Sequence, residues 1–324
     1  MSEKFNELKA STKSLGLVRS LHNSTDNLKL RKVIDMLFVP CGALKLLFRK
    51  KSQFKPKLLD KIALVGIVKN EGPYLREWIE YHKILGISKF YIYDNSSTDK
   101  TAEVLRELAT DCNVVYQKVS GVAHQMDVYN DALEIARKSN EYLLFLDADE
   151  FIFLQDNSTS LLESIKEIFC KDSHIGGIAI NWLVFGSSNY QQKPEGLVTQ
   201  SYFLRSKEDF EKNAHVKTVC DPRKVAGVLN PHYPEYLNGY YAVDQNCSKV
   251  QGAFNKAGVN QNIRINHYFT KSREEFTLKR NRGMADSNRV RDSNEFEIHD
   301  KNDVYDDSMK RYKTELERRC DFEG

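Results

Sequence analysis

Several features that define common protein classes are missing from the 324-residue sequence. No apolar run reaches the roughly 18 residues of a membrane-spanning helix. The six cysteines are scattered without a C-x-x-C pair, which argues against a structural zinc site or a disulfide scaffold and favours a reduced, cytosolic protein. Residues 1–5 lack the basic start and apolar run of a signal peptide. The net charge of only +3 gives no reason to expect nucleic-acid binding.

Glycine-rich phosphate-binding loops are also missing. No G-x-G-x-x-G motif follows the first predicted strand, at 62–68, and no G-x-x-x-x-G-K-[ST] motif occurs. A dinucleotide-binding Rossmann site and a P-loop are therefore excluded. The absence also counts against a sugar nucleotidyltransferase. That class stays an alternative because its members place acidic residues after a parallel strand, and acidic residues follow the fourth predicted strand of this sequence.

What the sequence does contain is a regular alternation of short apolar runs and amphipathic segments. The predicted strands are 62–68, 89–93, 114–116, 142–146, 175–183 (broken at Gly176–Gly177) and 263–268. The predicted helices are 75–85, a segment from about 100, 124–139, 161–169 and a segment from about 272. Such alternation with short connections is typical of an α/β fold whose mostly parallel sheet is flanked by helices.

An acidic motif follows the fourth predicted strand. The apolar run 142–146 precedes Asp147, Asp149 and Glu150, so these acids lie where a strand buried on both faces ends. Alternation along an extended backbone would point Asp147 and Asp149 to the same side. Carboxylates there predict a site for Mg²⁺ or Mn²⁺ that substrate phosphates complete, the alternative being an ordinary acidic turn.

Three strand ends are expected to meet at one crevice, because ligands of open α/β sheets bind outside the carboxyl ends of the strands. They are residues 69–71, 94–97 and 147–149. A nucleotide could lie there with its base and ribose against the first two segments and its diphosphate on the metal.

The chain is predicted to have three parts, namely an N-terminal helical appendage at 1–58, a main domain at 59–285, and a charged tail or helix at 286–324. The apolar stretch 33–48 of the appendage is too short and too interrupted to span a bilayer. Lysines and arginines flank it, which suits peripheral contact with an anionic membrane surface. The alternative is a helical hairpin packed on the main domain with a solvated basic rim. We therefore expect a cytoplasmic protein that contacts the inner face of the cell membrane if the appendage binds lipid.

The order of the motifs resembles the GT-A nucleotide-sugar glycosyltransferases, and within them the family-2-like and family-92-like branch. The resemblance spans about residues 60–285 and implies a GT-A, Rossmann-like α/β fold. The residues that carry it are 69–78, His82, Gly86, 93–99, 147–151, Trp182, 185–188 and 266–283.

The resemblance also implies a nucleotide pocket. Asp94 would read the uracil or ribose of a UDP-sugar, and Asn70 and Glu71 would line the same pocket. Gln125 and Asn130, on the helix before the acidic motif, match positions that face the donor.

For the diphosphate, the resemblance implies a cation site. Asp147 would contact the ribose or a metal-bound water and Asp149 the metal itself. His267 falls where such enzymes often place a third ligand. Lys217 would contact the diphosphate, and the stretch 272–283 would close over the donor.

The implied reaction is metal-dependent, and because the family-2 branch is typically inverting, a single displacement with one general base is expected. The candidates for the base are Glu150, Glu195 and Asp244, of which Glu150 is preferred. The expected donor is a UDP-sugar carrying a hexose, and the expected acceptor a surface glycan or glycolipid of lipopolysaccharide or capsule. If the protein is not an enzyme, the alternative function is that of a non-catalytic glycan-binding protein.

Overall fold

The computed structural model describes residues 3–51, 58–111, 113–121, 123–139, 141–281, 292 and 294–320. Its helices are α1 (Glu3–Lys13), α2 (Gly16–Asn23), α3 (Leu28–Leu37), α4 (Val39–Lys51), α5 (Gly72–Ile84), α6 (Thr101–Leu108), α7 (Gln125–Ala136), α8 (Leu161–Lys171), α9 (Val198–Ser201), α10 (Arg273–Asn281), α11 (Asn294–His299) and α12 (Lys313–Cys320). Its strands are β1 (Lys61–Val68), β2 (Lys89–Asn95), β3 (Val114–Val119), β4 (Glu141–Phe145), β5 (Glu150–Leu154), β6 (Ile175–Val184), β7 (Leu204–Arg205), β8 (Val216–Cys220), β9 (Val225–Val228), β10 (Pro234–Tyr236), β11 (Tyr241–Val243), β12 (Lys249–Val250), β13 (Ile263–His267) and β14 (Val304–Tyr305).

A central sheet is built from ten of the described strands. Its order is β12-β11-β6-β8-β4-β1-β2-β3, with β13 beside β6 and β5 beside β13. Strands β4, β1, β2 and β3 are parallel, whereas β8 lies antiparallel between β4 and β6. The predicted α/β fold, with a mostly parallel sheet flanked by helices, is confirmed.

The two faces of β1 show why this strand reads as a continuous apolar run. Ile62 and Leu64 belong to a core with residues of α5, while Ala63 and Val65 belong to a second core with residues of α7. Because helices cover both faces of the sheet, successive positions of the strand, and not only alternate ones, are apolar.

The two adjacent glycines do not end β6, which runs through them, but the pairing of β6 with β11 shifts register across Gly176. A Cβ on Gly177 would lie 2.0 Å from the hydroxyl oxygen of Tyr236. The strand therefore keeps glycine there because an aromatic ring from β10 packs against its backbone, which is a close approach that glycine permits.

Strand β13 brings the end of the domain to the acidic motif. It pairs antiparallel with β5, so that His267 lies opposite Glu150. The Tyr268 amide donates to the Asp149 carbonyl at 2.9 Å. His267 thus stands at a strand end next to the acids, as the sequence suggested.

Both terminal segments pack on the main domain. Helix α1 contacts α4 and β9, and α2 contacts α7. Helix α12 contacts α5, and its Leu316 is part of the main core. The chain from 294 to 320 is therefore folded rather than a loose tail, while Gly283 lies outside the described residues. Within the described part of the chain, no helix is long and apolar enough to cross a membrane.

Candidate active site

The loops after β1 and β2 are tied to each other at the carboxyl ends of their strands. Asn70 and Ser96 both have left-handed backbones, with φ of 53° and 55°. The Asn70 amide donates to the Ser97 hydroxyl at 2.9 Å, and the Asn70 side-chain oxygen accepts from the Thr98 amide at 2.8 Å. Left-handed backbone in residues other than glycine is uncommon and tends to occur at functional sites.

Asp94 and Glu71 lie in these two loops. One Asp94 oxygen accepts from the Ser97 amide at 2.9 Å, and the other accepts from the Tyr116 hydroxyl at 3.2 Å. Glu71 precedes α5, is buried, and has a carboxylate oxygen 4.0 Å from the Lys271 ammonium. The predicted nucleotide residues therefore occupy neighbouring strand ends, with the Asp94 carboxylate fixed in its orientation.

The first residue of α7 reaches the acidic motif. The Gln125 amide donates to an Asp147 carboxylate oxygen at 3.3 Å, and the Asp147 side chain is 38% exposed. Asn130, one turn further along, does not face this site. It is buried, and its side chain exchanges hydrogen bonds of 2.8 and 2.9 Å with the backbone of Val228. Asn130 therefore ties α7 to β9, and its predicted contact with the donor is wrong.

Lys217 is fully buried beneath the acidic motif. Its ammonium lies 2.8 Å from Asp147 and 3.3 Å from Glu150. Although burial opposes the charge, these two carboxylates raise the pKa of Lys217 above its ordinary value. Antiparallel β8 directs the Lys217 side chain under the acids, and its contact with the diphosphate stays a prediction.

Glu150 is also fully buried, and one of its oxygens accepts from the Asp147 amide at 2.8 Å. Burial raises the pKa of Glu150 to about 8, against the opposing effect of Lys217. A general base has to contact the acceptor hydroxyl, and this structure does not bring the buried Glu150 carboxyl to the surface where an acceptor would bind. Of the other two candidates, Asp244 is buried and accepts from the Ser248 amide at 3.0 Å, whereas Glu195 is exposed.

A cation already lies on the second acid of the motif. The Lys279 ammonium contacts the Asp149 carboxylate and donates to the Phe269 carbonyl at 2.8 Å. The same carboxylate oxygen lies 3.6 Å from His267 Nε2. Burial would raise the pKa of Asp149, but Lys279 and His267 hold it well below its usual range.

These contacts show how well a divalent metal would fit. Asp149 and His267 offer a carboxylate oxygen and an imidazole nitrogen that converge on one position, where the Lys279 ammonium already stands in for a cation. Mn²⁺ accepts both ligand types. Asp147 instead turns to Lys217, and no group of three potential metal-binding side chains comes together among the described residues. The structure therefore fits a metal held by two side chains and completed by the phosphates of a donor, and it does not bring Asp147 into the predicted trio.

An aromatic cluster lies beside the acids; the sequence pointed to Trp182 and His267 but not to the histidines His215 and His232 that pack around them. The Trp182 ring stacks on His215 at 4.6 Å and approaches His232 at 5.3 Å and His267 at 4.2 Å between ring centroids. Burial, followed by the charge of Lys217, lowers the pKa of His232 to about 3, so its ring is neutral. His232 lies in a loop between β9 and β10, where no periodic pattern marks it. Trp182 and His267 are buried, so a sugar ring could contact only the half-buried rings of His215 and His232.

Comparison with known proteins gives one family. The family model described as glycosyltransferase family 92 matches residues 68–304. A curated glycosyltransferase family 92 protein of Oryza sativa subsp. japonica is 31% identical over 140 residues, which are 43% of this chain and 24% of that protein. One of Arabidopsis thaliana is 26% identical over 163 residues, or 48% and 28% of the two chains. The chain thus matches about a quarter of the length of these relatives.

Solved structures show more distant likeness. Staphylococcus aureus TarS in complex with UDP is 16% identical, with 47% of this chain and 40% of that chain covered and a TM-score of 0.32. Glucosyl-3-phosphoglycerate synthase from Mycobacterium tuberculosis, in complex with Mn²⁺, UDP and glucosyl-3-phosphoglycerate, is 16% identical, with 43% and 47% covered and a TM-score of 0.26.

Proposed function

Because the chain belongs to glycosyltransferase family 92, we propose that it transfers a hexose from a UDP-sugar to a surface glycan or glycolipid, such as lipopolysaccharide or capsule. The observation that carries the proposal is that β2, β1 and β4 are neighbouring parallel strands, so that their three strand ends share one edge of the sheet. The fixed carboxylate of Asp94 lies at the end of β2, and the Asp149–His267 pair follows β4. The acceptor class rests on the sequence resemblance.

The nucleotide is proposed to bind over the loops after β1 and β2. The Ser97 amide and the Tyr116 hydroxyl hold the two oxygens of Asp94 in place. Each carboxylate oxygen can accept a further hydrogen bond, so Asp94 can still bind a ribose hydroxyl or the uracil N–H. The Asn70 loop is hydrogen-bonded to Ser97 and Thr98, which follow Asp94, so Asn70 and Glu71 can complete this pocket.

A divalent ion, Mn²⁺ or Mg²⁺, is proposed to be held by Asp149 and His267 together with the diphosphate. When bound, such an ion would offset the negative charge of the leaving diphosphate. The Lys279 ammonium already contacts the Asp149 carboxylate, so it has to move aside or share that carboxylate when the ion binds. Its ammonium, with that of Lys271, then supplies positive charge next to the departing group.

The remaining groups orient the donor and the acceptor. Lys217 and Glu150 fix the turn of the acidic motif from below, and Gln125 holds the exposed carboxylate of Asp147. The half-buried rings of His215 and His232, which pack on Trp182, offer a face for a sugar ring. Glu195, the exposed candidate, is proposed as the base in an inverting displacement, in a loop whose Lys193 ammonium lies 4.8 Å from the centre of the Tyr74 ring.

Titration calorimetry with UDP tests the donor site. We expect UDP to bind in Mn²⁺ and to lose most of its affinity in EDTA, and we expect Asp149→Asn to abolish this difference. Asp94→Asn should weaken binding both with and without the metal. Asp156→Asn, which alters an exposed acid in a loop, is the matched control and should bind as the wild type does. Equal UDP affinity in Mn²⁺ and in EDTA would remove the metal from the proposal.

A further inference from the structure

Helices α3 and α4 are amphipathic in the reverse of the usual sense. A surface helix of a globular protein normally turns its apolar stripe inward and its charged face outward. Here the apolar side chains face outward, and Met36, Leu37 and Phe48 are 74%, 71% and 68% exposed. The outward face, as we call it, consists of Val33, Met36, Leu37, Leu44, Leu47 and Phe48.

Charged side chains on the inward side hold the two helices against the main domain. Arg31 donates to the Thr25 carbonyl at 2.9 Å and lies 2.9 Å from His124. Lys45 pairs with Glu134 at 2.7 Å. These contacts are directional, so they fix the rotation of each helix about its axis.

A close backbone approach adds to this constraint. The Ser11 hydroxyl on α1 donates to the Gly42 carbonyl on α4 at 3.0 Å, and a Cβ on Gly42 would lie 2.2 Å from the Thr12 hydroxyl oxygen. Arg49 donates to the Arg223 carbonyl at 2.9 Å. Helix α4 therefore cannot roll its apolar side chains inward without giving up these contacts, and the outward face stays outside.

The charges beside the outward face are of one sign. Among the described side chains of α3 and α4, the exposed charged residues are Lys29 and Lys32. The acid of these helices, Asp35, points inward and lies 3.2 Å from His22. Asp26, an exposed acid just before α3, lies 3.6 Å from the Arg31 guanidinium. Within the two helices themselves, an apolar stripe bordered by lysines and free of exposed acids is complementary to the headgroup region of an anionic bilayer.

We propose that the outward face of α3 and α4 docks on the surface of an anionic lipid bilayer, with its apolar side chains in the interfacial region and Lys29 and Lys32 at the headgroups. The spacing supports an interaction site, because Val33, Met36 and Leu37 on α3, and Leu44, Leu47 and Phe48 on α4, stand at i, i+3 and i+4 and so form an exposed apolar stripe on each helix rather than isolated residues. The inference goes beyond the proposed transfer reaction and does not depend on it.

The docking also has a structural link to the donor crevice. Arg31 of α3 contacts His124, and the next residue, Gln125, contacts Asp147. A bilayer beneath α3 would therefore lie about one helix diameter, roughly 10 Å, from the start of α7.

Vesicle co-sedimentation of the full chain tests the proposal. We expect the protein to bind phosphatidylcholine vesicles that contain about 30% phosphatidylglycerol, to bind neutral phosphatidylcholine vesicles much less, and to release as ionic strength rises. The double variant Met36→Glu/Leu37→Glu should bind about tenfold or more weakly. Lys29→Glu/Lys32→Glu should lose the preference for anionic vesicles. Tyr305→Glu, at a 58% exposed aromatic on β14, is the matched control and should bind unchanged.

Three results would overturn the proposal. The first is that the wild type fails to bind anionic vesicles, and the second is that Met36→Glu/Leu37→Glu binds them as well as the wild type does. The third is that light scattering shows a dimer that Met36→Glu/Leu37→Glu dissociates while no vesicle binding occurs. The outward face would then be an interface between two copies. Far-UV circular dichroism of each variant shows that a loss of binding is not a loss of folding.

Discussion

A buried histidine joins the N-terminal helices to the main domain and makes stability depend on pH. His22 on α2 lies 2.9 Å from Asp127 on α7 and 3.2 Å from Asp35 on α3. Burial would lower its pKa, but hydrogen bonds to Asp127 and Asp35 raise the pKa of His22 to about 9. The imidazolium and its two carboxylates thus connect three helices at neutral pH.

The sign of the pH effect follows from proton binding. Because the folded protein holds the proton more tightly than the unfolded chain, the stabilisation is complete below the ordinary pKa of about 6.5 and is lost as pH rises through about 9. A rise of that size corresponds to about 3 kcal/mol of unfolding free energy. We expect His22→Gln, which cannot carry the charge, to lose about this much stability at about pH 6 relative to about pH 9.5.

Urea unfolding across this pH range measures the difference. The free energy of unfolding of the wild type should exceed that of His22→Gln by about 3 kcal/mol more at the acidic end than at the alkaline end. His174→Gln, which removes an exposed contact with Asp172, is the control and should leave the pH profile unchanged, since exposed pairs contribute little. A difference between wild type and His22→Gln that is constant with pH would refute this reasoning.

Further substitutions separate the roles assigned to the site. Glu150→Gln should keep sugar transfer in a turnover assay, whereas loss of a general base would reduce the rate about 10²- to 10⁴-fold. Lys217→Met should lower the free energy of unfolding by about 3–5 kcal/mol in urea titrations, because two carboxylates lose their buried partner. Lys279→Ala should raise Mn²⁺ affinity in calorimetry without donor, and unchanged affinity would show that this lysine does not compete for the carboxylate. Gly177→Ala should lower the melting temperature, since an added methyl group meets Tyr236.

The sequence predicted the parts of the fold that depend on local pattern. The strand at 62–68 and the helix after it have clear apolar periods, and the structure has β1 and α5 there. It did not predict how Gly177 sits in β6, because the ring that requires glycine comes from β10, far along the chain. Close approaches between distant segments leave no periodic signal.

The same limit applies to the site. The strand-end positions of Asp94 and Asp149 could be predicted, because each acid directly follows an apolar run. The partners of these acids could not. Lys217 lies under the motif because β8 is inserted antiparallel beside β4, and Lys279 reaches Asp149 from a helix 130 residues away. The contact of buried Glu150 with Lys217 of this inserted strand escaped the sequence for the same reason.

The nature of the appendage also needed the structure. Composition showed apolar and basic residues together, which fits either a packed hairpin or a membrane contact. The structure shows that α3 and α4 pack through Arg31 and Lys45 and leave the apolar stripe outside. When a helix has an apolar side and a basic side that can both pack, the segments it meets in the fold decide which side becomes buried.

Donor turnover tests the central claim most directly. With Mn²⁺ and a panel of UDP-hexoses, we expect the wild type to release UDP from at least one donor, slowly by hydrolysis and faster with an acceptor. Asp149→Asn should reduce this release roughly a hundredfold or more, while Asp156→Asn keeps it. No UDP release from any donor, or equal release by Asp149→Asn and the wild type, would contradict the assignment of sugar transfer to this site.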